Sequence, residues 1–536
     1  MKKLKLVCVA IAMACATPTL AGGLLTNTNQ HVAFNRMMSR EASIGIDGVY
    51  YNPAGVVFMG EGHHLAINWQ LAFQTRTINN DYDLFTNNVN NPITPRDFKG
   101  TAFAPVIPSF QYAYNKGKWS FQASFALTGG GGKCTFDDGL GSFEKIVAET
   151  AIAACGLAGV VDQTLGNTLG QPGMEMFTSD QAFGKTGKYS FNSYMHGRQY
   201  YYGLSVGAAY KFCDNFSAFL GVRGVYALTN YYGYVENINV GNMPLYKVLD
   251  PTKESSANIE LSCDQSGVGV TPIIGVDYKT GRWNFSAKYE FKTRIRLKNK
   301  SVNQTPSIGN LPANLANQMT GILTAKYQQA GLPLEQAKQQ AENTTNAVLN
   351  DPTVGATMMG LKTQFDQKLN KAIGEYEDGK KIAGDIPAYL ALGVGYSPVD
   401  AVRVNAGFHW FDDKNATSYN NRNKELKRGT LEYNAGVEVD VNKKITLSTG
   451  WQNTNYGLSD EYMDDKSFVV SSNSVAIGGV YHINKKMDLN VAYFHTFYQH
   501  KKTTETVQLT ADISRNYSSD YTRNNNVFAV GLDINF

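Results

Sequence analysis

The stretch RWNFSAKYEFKTRIRLK, residues 282–298, alternates almost without exception. One side carries Trp283, Phe285, Ala287, Tyr289, Phe291, Ile295 and Leu297. The other carries Asn284, Ser286, Lys288, Glu290, Lys292, Arg294 and Arg296. A period of two is the signature of a strand between two unlike environments. The pattern recurs at Leu65–Thr77, Phe103–Tyr114, Trp119–Thr128, Tyr200–Phe212, Phe216–Thr229, Val268–Tyr278, Trp283–Leu297, Ile386–Tyr396, Val402–Phe411, Leu431–Val441, Ile445–Trp451, Val475–Ile483, Met487–Tyr498 and Val527–Phe536. A soluble sandwich would give any one of these strands, with its polar face in water.

The connections separate the two cases. Tight turns such as Asn115–Lys118, Cys213–Asn215, Lys279–Arg282, Asn442–Lys444 and Asn484–Lys486 alternate with connections that are mostly far longer, roughly 79–100, 129–199, 230–267, 298–385 and 412–430. Short–long alternation belongs to a transmembrane barrel with short periplasmic turns and long extracellular loops. The predicted fold is therefore all-β, a transmembrane antiparallel β-barrel of about 14 strands, an even number that puts both chain ends in the periplasm. The polar face then lines the lumen, the apolar face meets outer-membrane lipid, and closure leaves no strand edge unpaired. Tyr112, Tyr114, Trp119, Phe121, Tyr210, Phe212, Phe216, Tyr278, Trp283, Tyr396, Tyr481 and Phe536 cluster beside the short turns, as an interfacial girdle requires. The last strand, VFAVGLDINF, ends on an aromatic residue and resembles the C-terminal assembly signal of bacterial outer-membrane proteins.

Residues 1–21 read as a secretory signal: Lys2, Lys3 and Lys5, an apolar run from Leu6 to Ala16, then Thr17–Ala21. Cleavage after Ala16 or after Ala21 is possible, and Pro18 favours Ala21. No other stretch comes near the roughly 20 apolar residues of a membrane-spanning helix. The formal charge of +4 gives no case for nucleic acid. Four cysteines follow the leader, and Cys134 and Cys155, in one connecting segment, are the expected disulfide of an exported protein. There is no nucleophile–base spacing, no phosphate-binding glycine loop and no Cys/His metal spacing, so neither an enzyme, a metal nor a cofactor is expected.

Residues 22–60 are too few for a separate domain. As a free periplasmic tail they would gain nothing from Val32, Phe34, Met37, Met38, Val49, Tyr50, Val56 and Phe58. An insert that plugs the lumen explains them, because a barrel this wide is not filled by its own side chains. Asn52-Pro53 sets a turn in it, since proline fixes φ and pushes its predecessor out of the helical region. REASIGIDGVYYNPAGV in this segment, PSFQYAYNKGKWSFQASFALTGG and GDIPAYLALGVGYSPVDAVRVNAGFHWF resemble the FadL/TodX family of outer-membrane transporters for long-chain fatty acids and aromatic hydrocarbons. The resemblance spans the barrel but not the long loops. It implies that residues 22–60 form a hatch carrying the motif Asn52, Pro53, Ala54, Gly55, ahead of the barrel at 61–536. It also implies a ligand path from an extracellular groove, past the hatch, and out through a sideways gap in strand three. The Pro-Phe-Gly-like end that commonly follows this strand in the family is replaced here by Leu127-Thr128-Gly129-Gly130-Gly131-Gly132. Glycine weakens strand pairing, so a gap is still expected, with its position open.

Two long loops carry apolar residues at helical spacing, Phe143–Leu165 and Leu311–Ile373. Leu315, Met319 and Leu323 form one stripe; Leu361, Phe365, Leu369 and Ile373 form another, with Met358 beside it. These stripes either cap the barrel by packing on one another or form a groove that captures a hydrophobic ligand. For a carboxylate-bearing ligand the candidate luminal cations are Arg223, Lys288 and His409, with Arg294 and Arg296 higher up. Inward-facing Glu290, Glu432 and Glu438 are the competing structural partners. The expected function is passive uptake of a hydrophobic small molecule across the bacterial outer membrane by a single chain. A diffusion porin for polar solutes and a surface receptor or adhesin built on the long loops are the alternatives.

Overall fold

The computed structural model describes residues 25–26, 29–509 and 513–536, without the side chains at 131, 364 and 367–373. The expected leader, residues 1–21, and residues 22–24 and 27–28 of the expected hatch lie outside the described residues. Fourteen antiparallel strands close into a barrel with a few extra strand segments. They are β1 (Gly62–Asp81), β2 (Arg96–Lys116), β3 (Trp119–Phe136), β4 (Tyr189–Cys213), β5 (Phe216–Val240), β6 (Ile259–Thr280), β7 (Trp283–Glu290 and Arg296–Gln304) and β8 (Lys381–Ala383 and Tyr389–Val399). There follow β9 (Val402–Phe411), β10 (Thr430–Asn442), β11 (Ile445–Asn455), β12 (Ser472–Asn484), β13 (Met487–Tyr498 and Lys501–Gln508) and β14 (Ser514–Asn535). Each pairs with the next, and β14 closes on β1 from His64↔Asn535 to Asp81↔Ser518. Phe536 and His63 exchange backbone hydrogen bonds of 2.7 and 2.9 Å at the foot of that seam.

The wall is the inverse of a soluble protein. Outward residues such as Ile67, Trp69, Phe121, Leu220 and Ile477 are exposed, whereas inward Asn68, Gln70, Gln122, Ser217, Asn434 and Gln452 are buried. Trp283 stacks on Tyr396 (4.3 Å between ring centroids) and Trp119 packs against Tyr210 (4.7 Å) at the short-turn rim. Gly117 and Gly281 take left-handed φ there (59° and 55°), which side chains resist and glycine does not.

The strands outrun the apolar band. A tilted strand crosses the hydrocarbon in about 9–11 residues, yet β4 and β5 have 25 each. The surplus stands above the membrane at the long-loop rim and carries a helical cap: α3 (Gly141–Leu169), α4 (Tyr246–Leu249), α5 (Leu311–Gln329), α6 (Leu334–Leu349) and α7 (Pro352–Ile373). Contrary to expectation, α3 is long and apolar enough to cross a membrane by length and composition. It instead packs into the cap, clasped by Glu144, which pairs with Arg96 and accepts from Tyr189 (3.0 Å) and Asn88 (2.9 Å).

One expected strand is two. In β7 the ladder to β6 stops at Glu290 and resumes at Lys298. Opposite the break lie Pro272, with no N–H to give, and Gly267 and Gly269, where an added Cβ would meet Ile295 and Thr293. The chain tucks into that space and the parity flips. Thr293, Ile295 and Leu297 turn inward, while Arg294 and Arg296 point out of the barrel and are not luminal residues.

Candidate functional site

Residues 29–60 lie within the ring of strands. Their short helices, α1 (Val32–Met37) and α2 (Gly48–Tyr51), and the following turn Gly55–Phe58 touch strands on every side. The wall makes room with glycine: a Cβ on Gly393 would strike Glu41, on Gly436 or Gly450 the Met37 carbonyl, and on Gly478 the Arg36 side chain. These glycines form a smooth seat across β8, β10, β11 and β12.

Wall side chains then hold the segment by its backbone. Ser217 donates to the Ala54 carbonyl (2.7 Å), Gln122 to Pro53 (2.7 Å), Asn115 to Val56 (2.9 Å) and Asn284 to Ala42 (2.9 Å). The expected motif is wholly part of this docking. Asn52 accepts the Gly55 amide (3.1 Å), closing the turn, and donates to Asp277 of β6 (2.6 Å). Any side chain on Gly55 would collide with that Asn52 amide.

Charge fixes the orientation. Arg36 pairs with Glu438 and donates to Asn490 (3.2 Å) and Ser448 (3.0 Å). Arg40 reaches Glu438 (3.1 Å) and grips Asp47 (2.6 and 3.0 Å). His409 stands between Glu41 of the segment (2.7 Å) and Glu432 of β10 (2.9 Å). Arg223 is bidentate on Glu290 (2.6 and 2.9 Å), and Lys288 joins the same carboxylate (3.0 Å) while donating to the Tyr50 carbonyl (2.7 Å). Arg223, Lys288 and His409 thus spend their polar contacts on Glu290, Glu432 and the segment itself.

The cations without a carboxylate are others. A luminal cavity of about 250 Å³ is lined by Arg76, Arg523 and Lys466, together with Tyr456, Tyr498, Gln74 and Gln199, and by no acidic residue. Arg76 and Arg523 face each other across β1 and β14, a like-charge pairing that a sheet disfavours. Among the described residues neither is ion-paired; Arg523 donates to Gln74 (2.7 Å) and lies over the Tyr498 ring (5.4 Å). Arg76 continues the inward series of Asn68, Gln70 and Gln74, so alternation could have found it. Arg523 lies above the stretch whose hydrophobicity marks β14.

The same cavity reaches the wall's weakest line. β2 and β3 pair up to Ser109↔Ala126 and again from Ala102↔Cys134, and between these pairs they exchange no ladder. Pro105 and Pro108 remove donors on one side; on the other, Gly130 at φ 79° and two register shifts bend the glycine run. Ala104, Ile107, Leu127, Gly130 and Gly132 from this open seam form one wall of the cavity. Gln30 staples its lower end. Its amide donates to the Leu127 carbonyl (2.6 Å), and its own carbonyl accepts from Ser109 and Gln111 (2.7 Å each).

A second cavity, about 120 Å³ and almost wholly apolar, lies in the cap between α3, α5 and α7. Leu315, Leu361 and Phe365 line it. Met319 and Leu323 are buried in the same core, Met358 packs against it, and Met359 is exposed. The Leu369 and Ile373 side chains lie outside the described residues. The expected Cys134–Cys155 disulfide is absent, and both are free thiols. Cys134 faces inward from the barrel wall, among Phe136, Met195 and Tyr231, whereas Cys155 sits in the middle of α3 with its thiol against the Phe183 carbonyl (3.4 Å).

No protein-family model and no curated protein sequence matches the chain. Among solved structures it is similar to a Pseudomonas aeruginosa FadL homologue, at 14% identity over 96% of this chain and 100% of that one, with a TM-score of 0.58. It also aligns with the Ralstonia pickettii toluene transporter TbuX (13% identity, 94% and 97% covered, TM-score 0.46) and the P. putida toluene transporter TodX (12%, 92% and 94%, 0.46). With the first of these, the closed ring of strands and the segment inside it show that the chain has a FadL-like fold.

Proposed function

We propose that this chain is an outer-membrane channel for passive uptake of hydrophobic small molecules, and that its best-fitting ligand is an amphiphile with an anionic head, of the long-chain fatty acid class. The observation that carries the reading is the acid-free cavity whose wall is the open β2–β3 seam. Arg forms paired hydrogen bonds to carboxylates, so Arg76 and Arg523 hold the head while the seam offers the tail a way into lipid without crossing water. Residues 22–60 serve as the hatch, with both chain ends periplasmic. The apolar cavity in the cap captures ligand on the extracellular side. Gln30 couples hatch and seam, since lifting the segment frees the Leu127 carbonyl. A ligand shifts the hatch only by binding its open state better than its closed one. A diffusion porin fits less well, because its lumen would not be occupied by residues 29–60.

The test closes the seam. A Cβ on Gly132 would lie 3.6 Å from that of Ala104, within the range of about 3.5–4.5 Å that a disulfide needs. In a Cys134→Ser background, Ala104→Cys with Gly132→Cys should stop uptake of a fluorescent fatty acid when oxidised and restore it on reduction. Undiminished uptake through the oxidised barrel would send the ligand out of the periplasmic end and overturn the lateral route.

A further inference from the structure

The two arginines that the parity flip expels from the lumen belong to a row. From the break in β7 upward, Arg294, Arg296, Lys298 and Lys300 occupy successive outward positions and are all exposed. Lys381 of β8 lies directly opposite Lys298. Acidic neighbours are few. Asp385, itself buried, takes Arg296 (2.8 Å) and stands 4.0 Å from Lys292. Asp264 faces Lys300 in register, Glu377 pairs with Lys380 (3.5 Å), and Asp378 accepts the Ser301 amide (2.8 Å). Among the described residues none of Arg294, Lys298 and Lys381 is ion-paired.

The height of the row decides what it meets. Below it, Trp283, Phe285 and Phe291 face outward, and the run from Trp283 to Phe291 has the roughly nine residues with which a tilted strand crosses the hydrocarbon. Beside Arg294 and Arg296, β6 presents Val268 and Val270, 70% and 61% exposed. Arg294 and Arg296 therefore flank the top of the apolar band, and Lys298 and Lys300, opposite Ser266 and Asp264, stand just above it. Lysines facing each other across strands repel; on a soluble protein both would swing into water, whereas at the edge of an apolar band an anionic headgroup would draw both to one point. A second like-charge pair, Lys133 opposite Arg198, tops the apolar runs of β3 and β4 in the same way.

We infer that the outer face of β7–β8 is a docking site for an anionic lipid of the extracellular leaflet, whose phosphates lie between Arg294, Lys298 and Lys381. Arg supplies paired donors to phosphate and Lys a point charge. The site is independent of the luminal one and rests on the proposed orientation only in placing it on the outer leaflet.

The test is native mass spectrometry of the full chain in mild detergent with diphosphoryl lipid A, phosphatidylethanolamine or inorganic phosphate added. Wild type should retain the diphosphoryl lipid in preference to phosphatidylethanolamine. Arg294→Gln with Lys298→Gln and Lys381→Gln should lower that occupancy by about five-fold per cation. Lys443→Gln with Lys444→Gln, at the short-turn rim, should not. Heat-modifiable migration on gels checks that each variant is a closed barrel. Equal retention of both lipids, unchanged retention by the folded triple variant, or complete displacement by millimolar inorganic phosphate would overturn the assignment.

Discussion

Glu438→Gln tests how the luminal segment is held. Glu438 serves three guanidinium groups, but two of them keep another acid: Arg40 keeps Asp47, and Arg403 keeps Asp440 (2.6 and 2.7 Å). Among the described residues Arg36, 5% exposed, keeps as hydrogen-bond partners only the neutral oxygens of Asn490 and Ser448. Leaving one member of a buried pair without its partner costs about 3–5 kcal/mol. The strands are unaffected, because the ladders of β10 with β9 and β11 do not involve this side chain. The penalty therefore falls on docking, and the ratio of seated to released segment should drop by roughly 10²–10⁴. Planar-bilayer recordings should show a sharp rise in open events, and limited proteolysis should cut residues 29–60 at a melting temperature close to that of wild type. Adding Arg36→Met, which removes the stranded charge, should quiet the channel again. A Glu438→Gln barrel that is as silent and as protease-resistant as wild type would refute the idea that this ion cluster seats the segment.

Gly450→Val places a branched side chain where the Met37 carbonyl sits; the same recordings should show an unseated segment in a folded barrel. Arg76→Gln and Arg523→Gln should each weaken retention of a fatty acid about ten-fold and leave a neutral hydrocarbon unaffected, read by competition with a fluorescent probe; each loses one charge-assisted pair. Asp413, in the loop between β9 and β10, is pushed up to about 7 by burial, although it accepts the Thr430 amide (2.9 Å). Its folded value exceeds its unfolded one, so the neutral carboxyl favours the folded loop and that advantage fades as pH rises from about 4 to about 7, by roughly 1.4 kcal/mol per pH unit. Asp413→Asn should flatten thermal stability between pH 5 and 7, and an unchanged slope would place the titration elsewhere.

The barrel was legible because alternation and loop length are properties of the chain taken locally. The Asn52-Pro53 turn was legible for the same reason, since Asn52 closes its own turn. Strand ends were misread wherever the wall leaves the membrane. Above the apolar band the outward face need not be hydrophobic, so β14 seemed to begin at Val527 and Arg523 was lost. The flip in β7 was invisible because its cause, Pro272 with Gly267 and Gly269, lies on the neighbouring strand. Arg223, Lys288 and His409 face inward, as the alternation of their strands implies. What they touch depends on residues 29–60, which are distant in sequence from all three.

The luminal segment joins the wall at Gly60, immediately before β1. Once lifted from its seat it remains a tethered ligand inside its own receptor, at an effective concentration of about millimolar for so short a leash. A fatty acid arriving at micromolar levels would lose to it by about a thousand-fold at any contact the two share. A cargo that moves the segment must therefore draw its binding energy from wall beyond the reach of Thr26, Asn29 and Gln30, such as Arg76 and Arg523 in the luminal cavity.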